Sequence, residues 1–95
     1  MYALVTRSHV EEFDDEGWRN LQNIVAPNVA TSPGFIAGYW LEADGSGEGL
    51  SVVLFEDEGT AQLAAEIAEE YFSSEQAPER VRLKSAEVRR VTAFS

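Results

Sequence analysis

The single histidine of this 95-residue chain, His9, stands two positions after Arg7 and just before the acidic pair Glu11-Glu12. Imidazole is the side chain whose unperturbed titration falls nearest neutrality, so His9 is the residue equipped to take a proton from a phenol or an enol. Arg7 and Asn23 add a guanidinium and a carboxamide, donors able to stabilise the anion that deprotonation leaves. His9, Arg7 and Asn23 form the candidate catalytic set. Each also has a plainer role. A lone histidine at a strand end is commonly exposed or hydrogen-bonded, and arginine and asparagine are commonly solvated. With no cysteine and no second histidine, His9 cannot complete a metal site.

Aromatic residues supply the surface on which such a substrate would lie. Trp18, Tyr39, Trp40, Phe55 and Tyr71, with Asn20 as a polar contact, are the candidate substrate-binding residues. They would line a flat pocket between the first helix and the sheet, since ligands favour apolar clefts with a few polar groups. The plainer role for the rings is core and subunit interface. Tyr39 and Trp40 alternate along a strand, so at most one of them serves a given pocket. Gly45, Gly47 and Gly49 have no following lysine or helix and read as a turn, not a phosphate loop. The acidic run from Glu11 to Glu16 lacks the spacing of a twelve-residue calcium loop.

Seventeen acids against seven bases give a net charge of -10, which repels phosphate backbones and anionic membranes. Nucleic-acid and membrane partners are therefore not expected. Five of the seven bases, Arg80, Arg82, Lys84, Arg89 and Arg90, fall in the last sixteen residues. That is the pattern of a solvated or edge strand protected by positive charge, or of a site for an anionic ligand. No basic region followed by a long apolar stretch opens the sequence, and no apolar run nears the roughly 20 residues that span a bilayer, so a cytoplasmic location is expected.

The elements that must position these groups follow from periodicity. Tyr2 to Val10 alternates and reads as strand one. Asp14-Asp15-Glu16 can cap a helix, and Trp18, Leu21, Val25 and Val29 continue it at helical spacing over about residues 15 to 31. Pro27 inside that pattern predicts a kink near Asn23 or a break. Thr31-Ser32-Pro33-Gly34 stops the helix. Strand two, Phe35 to Glu42, places Phe35, Ala37, Tyr39 and Leu41 on one side and Ile36 and Trp40 on the other. A glycine-rich hairpin leads to strand three, Leu50 to Phe55. Asp57 caps helix two, with Leu63, Ile67 and Tyr71 in one stripe and Ala64, Ala68 and Phe72 beside it. The segment from Ser73 to Pro78 closes that helix, and Val81 to Phe94 supplies strand four, in one or two parts around Lys84-Ser85-Ala86.

The order βαββαβ predicts an α+β, ferredoxin-like single domain over residues 1–95: a four-stranded antiparallel sheet with two helices on one face. Two helices roof one side only. The other side of the sheet is apolar too, so the sequence predicts that an identical partner covers it in a homodimer.

Ser32-Pro33-Gly34-Phe35, then Gly38-Tyr39-Trp40, and Val53-Leu54-Phe55-Glu56-Asp57-Glu58 leading into an alanine-rich helix together resemble the antibiotic biosynthesis monooxygenase family of dimeric α/β barrels. The resemblance spans essentially the whole chain and its marks are marks of fold. It implies a cofactor-independent monooxygenase acting on a small planar aromatic substrate of the quinol or anthrone type. The alternative is a non-catalytic ligand-binding or stress-related dimer whose barrel is packed shut. The haem-degrading branch of that family carries an asparagine on strand one, a tryptophan ending strand three and a ligating histidine on helix two. Here Thr6 and Phe55 stand at the first two positions and helix two has no histidine, so haem degradation is not implied.

Overall fold

The computed structural model describes residues 1–11, 14–77 and 79–95. Glu12, in the acidic run before the first helix, and Pro78, at the end of the closing segment after helix two, lie outside the described residues. The chain is α+β: β1 (Tyr2–Val10), a first helix in three contiguous pieces, β2 (Phe35–Leu41), β3 (Glu48–Phe55), a second helix, and β4 (Val81–Arg90). The strands form one open antiparallel sheet in the order β2-β3-β1-β4, compatible with a ferredoxin-like arrangement. Among the described residues no helix is long and apolar enough to cross a membrane.

The first helix comprises α1 (Asp15–Asn20), a π-helical turn (Leu21–Val25) and α2 (Ala26–Val29). Asp14 caps it, its carboxylate accepting from the Gly17 amide at 3.0 Å. The kink expected near Asn23 takes the form of the π turn. Pro27 brings no N–H to the carbonyl four residues back and its ring crowds that carbonyl. The Ala26 amide reaches back to the Leu21 carbonyl instead, a five-residue step that widens the turn.

α3 (Glu58–Phe72) is capped by Asp57, which accepts from the Thr60 amide at 2.8 Å. Ala61 and Ala65 are the residues it buries. The larger stripe of Leu63, Ile67 and Tyr71 stays 43–57% exposed. Small side chains let the helix come close to a sheet face already filled by Leu4, Val53 and Phe55. Val29 packs on the same cluster, so both helices lie on one face of the sheet. Gly34 links the two layers. It has φ +73°, and a Cβ there would lie 2.6 Å from the Thr60 hydroxyl, so neither its conformation nor its surroundings admit a side chain.

Two strands depart from simple alternation. A register shift between Phe35 and Ala37 turns Phe35 to the helix side, where its ring meets Phe55 edge to face at 6.5 Å. Phe35 therefore shares a face with Trp40, not with Ala37, Tyr39 and Leu41. In β4 an extra residue, Lys84, sits opposite the Arg7/Ser8 step and re-aims the strand's first half. β4 also ends at Arg90, short of Phe94, because its partner β1 begins at Tyr2 opposite Arg90. Phe94 is 81% exposed.

Candidate functional site

The bare face of the sheet collects the chemistry. Leu4 and Thr6 of β1 point to the helices, Leu4 into the core and Thr6 to a hydroxyl–hydroxyl hydrogen bond with buried Ser51. Alternation then sends Ala3, Val5, Arg7 and His9 to the opposite face. The ladder sets Val5 beside Val52, Ala3 beside Leu54 and Arg7 beside Leu50, with Tyr39 and Leu41 next on β2. These residues form a continuous apolar floor. Tyr39, Leu41 and the bulge residue Ile36 are each about half exposed.

One end of that floor is charged. Glu48 lies opposite His9 and its Oε1 accepts two cations, Arg7 Nη1 at 3.5 Å and Lys84 Nζ at 3.9 Å. Lys84 is the bulged residue of β4, and beyond the bulge the register sets Arg82 opposite His9. Among the described residues Arg82 makes no ion pair. A base and Arg7 from β1 and Arg82 and Lys84 from β4 thus meet on one surface, with Glu48 of β3 among them. Farther along β4, Arg89 is paired to its neighbour Glu87 at 2.8 Å.

His9 also borders an open basin of about 570 Å³ at the β2–β3 hairpin, with Glu11, Glu42 and Asp44 around it. The hairpin is tied down. Asp44 Oδ1 accepts from the Ser46 hydroxyl and the Ser46 and Glu48 amides, and these bonds, the hydroxyl's first, hold its carboxyl below the usual carboxylate range. Gly47, at φ +82°, gives its carbonyl to the Val10 amide at 2.8 Å, and a Cβ there would stand 3.0 Å from the Val10 carbonyl oxygen. Among the described residues no group of three histidine, cysteine or acidic side chains has the geometry to hold a metal ion.

Of the residues singled out from sequence, the structure places His9, Arg7 and Tyr39 on the bare face, His9 and Arg7 side by side on β1 and Tyr39 two strands away at the level of Val5. It does not bring the others to them. Asn20 and Asn23 are exposed on the first helix and its π turn, and Trp18, also on that helix, is 50% exposed. Trp40 lies on the helix side, its ring resting on Gly38. Phe55 is wholly buried core. Tyr71 stands at the end of α3, edge to face with Phe72 at 5.1 Å. Sequence reading missed Glu48, Arg82 and Lys84 as neighbours of His9. The signal was the crowding of bases near the C-terminus, but only the β1–β4 register turns that crowding into a site.

No protein-family model matches the chain, and no curated protein matches it significantly.

Proposed function

We propose that the protein is a homodimer of the dimeric α/β-barrel kind, its partner covering the apolar part of the bare sheet face, and that it binds a small planar aromatic ligand at the charged end of that face and oxygenates it without a cofactor. The observation that carries the reading is the convergence of His9 with Arg7 and Lys84 at the charged end of a sheet face that no helix of the protomer covers. His9 would take the proton of a phenol or enol, and the two cations would stabilise the anion. In an anthrone-type substrate the activated methylene then loses both hydrogens and gains one atom of O₂, while the other atom leaves as water. The substrate is thus the only reductant. The likeness of the Ser32-Pro33-Gly34-Phe35 and Val53-to-Glu58 segments to the antibiotic biosynthesis monooxygenases supports the same reading.

Surface area supports the dimer. The chain exposes 6670 Å². A monomer of 10.5 kDa ordinarily exposes roughly 5,400 Å². The excess is on the order of 1,200 Å², more than the roughly 800 Å² that one partner gives to a stable interface.

A second reading, a binding dimer without turnover, is favoured by one observation: Glu48 already holds both cations. Oxygen uptake by the purified protein with a panel of hydroquinones and anthrones separates the two. Uptake that disappears in His9→Ala supports the oxygenase; binding without uptake across the panel leaves the ligand-binding dimer.

A further inference from the structure

α3 holds its two large aliphatic side chains away from the core. The helix packs on β1, β3 and β4 and buries Ala61 and Ala65 there, whereas Leu63 and Ile67 come two residues after these alanines, about 200° round the helix. Leu63, Ile67 and Tyr71 repeat every four residues and form a stripe about 12 Å long, each of them 43–57% exposed. The stripe belongs to the helix layer, not to the sheet face that a dimer covers, so it is open in monomer and dimer alike.

Its surroundings are acidic. From residue 56 to residue 75 the chain has seven acids and no base, and Glu66 and Glu70, one residue before Ile67 and Tyr71, are exposed along the stripe. Arg82 and Lys84 of β4 stand against the other flank of α3, with Glu69 and Phe72. The first helix adds Asp14, Asp15 and Glu16 against Arg19. A second copy of the stripe would set its own glutamates against these, and like charges brought face to face are costly. An anionic membrane is repelled for the same reason. An extended peptide gains affinity from a sheet edge, which a helix with its backbone groups already paired does not offer. A basic amphipathic helix meets both features of the surface. Its apolar residues, three and four apart, seat along the stripe, and its flanking lysines or arginines reach Glu66 and Glu70.

We propose that Leu63, Ile67 and Tyr71, with Glu66 and Glu70 beside them, form a docking surface for a basic amphipathic helix of another protein. The surface is separate from the sheet face and needs no ligand there.

The probe is a fluorescein-labelled lysine–leucine peptide of about 18 residues, five helical turns, with its leucines along one face. Titrated with the full-length protein and followed by anisotropy, it is expected to bind at least about tenfold tighter than a scrambled peptide of the same composition, since covering two half-exposed aliphatic side chains contributes about that much. The double variant Leu63→Gln/Ile67→Gln should bind the two peptides alike. Glu66→Gln/Glu70→Gln should weaken the amphipathic peptide about threefold or more at low salt. This second variant alters exposed side chains only, so it tests the surface even where the first is destabilised. Equal binding of the amphipathic and scrambled peptides to wild type, or a preference that survives both variants, overturns the docking surface. Equal binding of an amphipathic peptide with glutamates in place of lysines overturns the basic partner. Sedimentation in which wild type assembles further than Leu63→Gln/Ile67→Gln gives the stripe to a second copy and overturns the proposal as well.

Discussion

A charge placed at Val52 tests whether the bare face is an interface. Val52 is central: it lies between Val5 on one neighbouring strand and Tyr39 on the other, and it is only partly covered within the protomer. In a free protomer an aspartate there would sit in water and cost on the order of 1 kcal/mol through lost strand preference. In a two-fold dimer with its sheets face to face the same carboxylate is buried without a partner, and it is buried twice. An unpaired buried charge costs roughly 3 to 5 kcal/mol, so even the lower figure gives about 6 kcal/mol per dimer, a weakening of roughly ten-thousandfold. A dimer with a micromolar dissociation constant would then be monomeric at any practical concentration. Sedimentation velocity on wild type, Val52→Asp and the uncharged control Val52→Thr reads this directly, with circular dichroism reporting the fold. Dimeric wild type and threonine control beside a monomeric or unfolded aspartate variant is the expected pattern. A folded wild-type monomer at about a hundred micromolar, or an aspartate variant that stays dimeric, refutes the reasoning.

Other consequences bear on the scaffold. Phe55 is the largest side chain with no exposure among the described residues and its ring meets Phe35 edge to face, so Phe55→Ala should cost about 3 to 5 kcal/mol, a large part of the roughly 5 to 14 kcal/mol expected for 95 residues, and thermal melts should show it. A methyl group at position 38 would lie 2.9 Å from the Trp40 ring, so Gly38→Ala should push the indole outward, red-shift its fluorescence and cost about 1 to 3 kcal/mol. Asp57 is held below the ordinary carboxylate range by the Thr60 amide and hydroxyl, so its contribution is present above about pH 4 and is lost as pH falls through its lowered folded value. Denaturation of wild type and Asp57→Ala at a series of pH values should show a stability gap that is full near neutrality and closes in acid; a gap that widens in acid would contradict the assignment.

Much of the architecture was legible in residue order alone. Alternation from Tyr2 to Val10 marked β1 with its observed ends, and the capping acids Asp14 and Asp57 marked both helix starts. Pro27 marked the place where the first helix departs from α geometry, because a missing N–H is a local property that no tertiary contact restores. The amphipathic arrangement of four strands and two helices sufficed to put both helices on one face. Other features depend on pairing, which local pattern does not encode. The shift at Phe35 moved that ring into the core, and the alanines of α3, not Leu63, Ile67 and Tyr71, met the sheet because the sheet face left no room for larger side chains.

The candidate site divides in the same way. His9 and Arg7 share a face because residues two apart on any strand do, so their association was fixed by sequence. The arrival of Glu48, Arg82 and Lys84 beside them was decided only in the folded sheet. Glu48 comes from β3 and the two bases from β4, and they reach His9 through ladder registers; in β4 that register turns on one extra residue. A shift of a single position would send Arg82 to the opposite face, since successive side chains of a strand point in opposite directions.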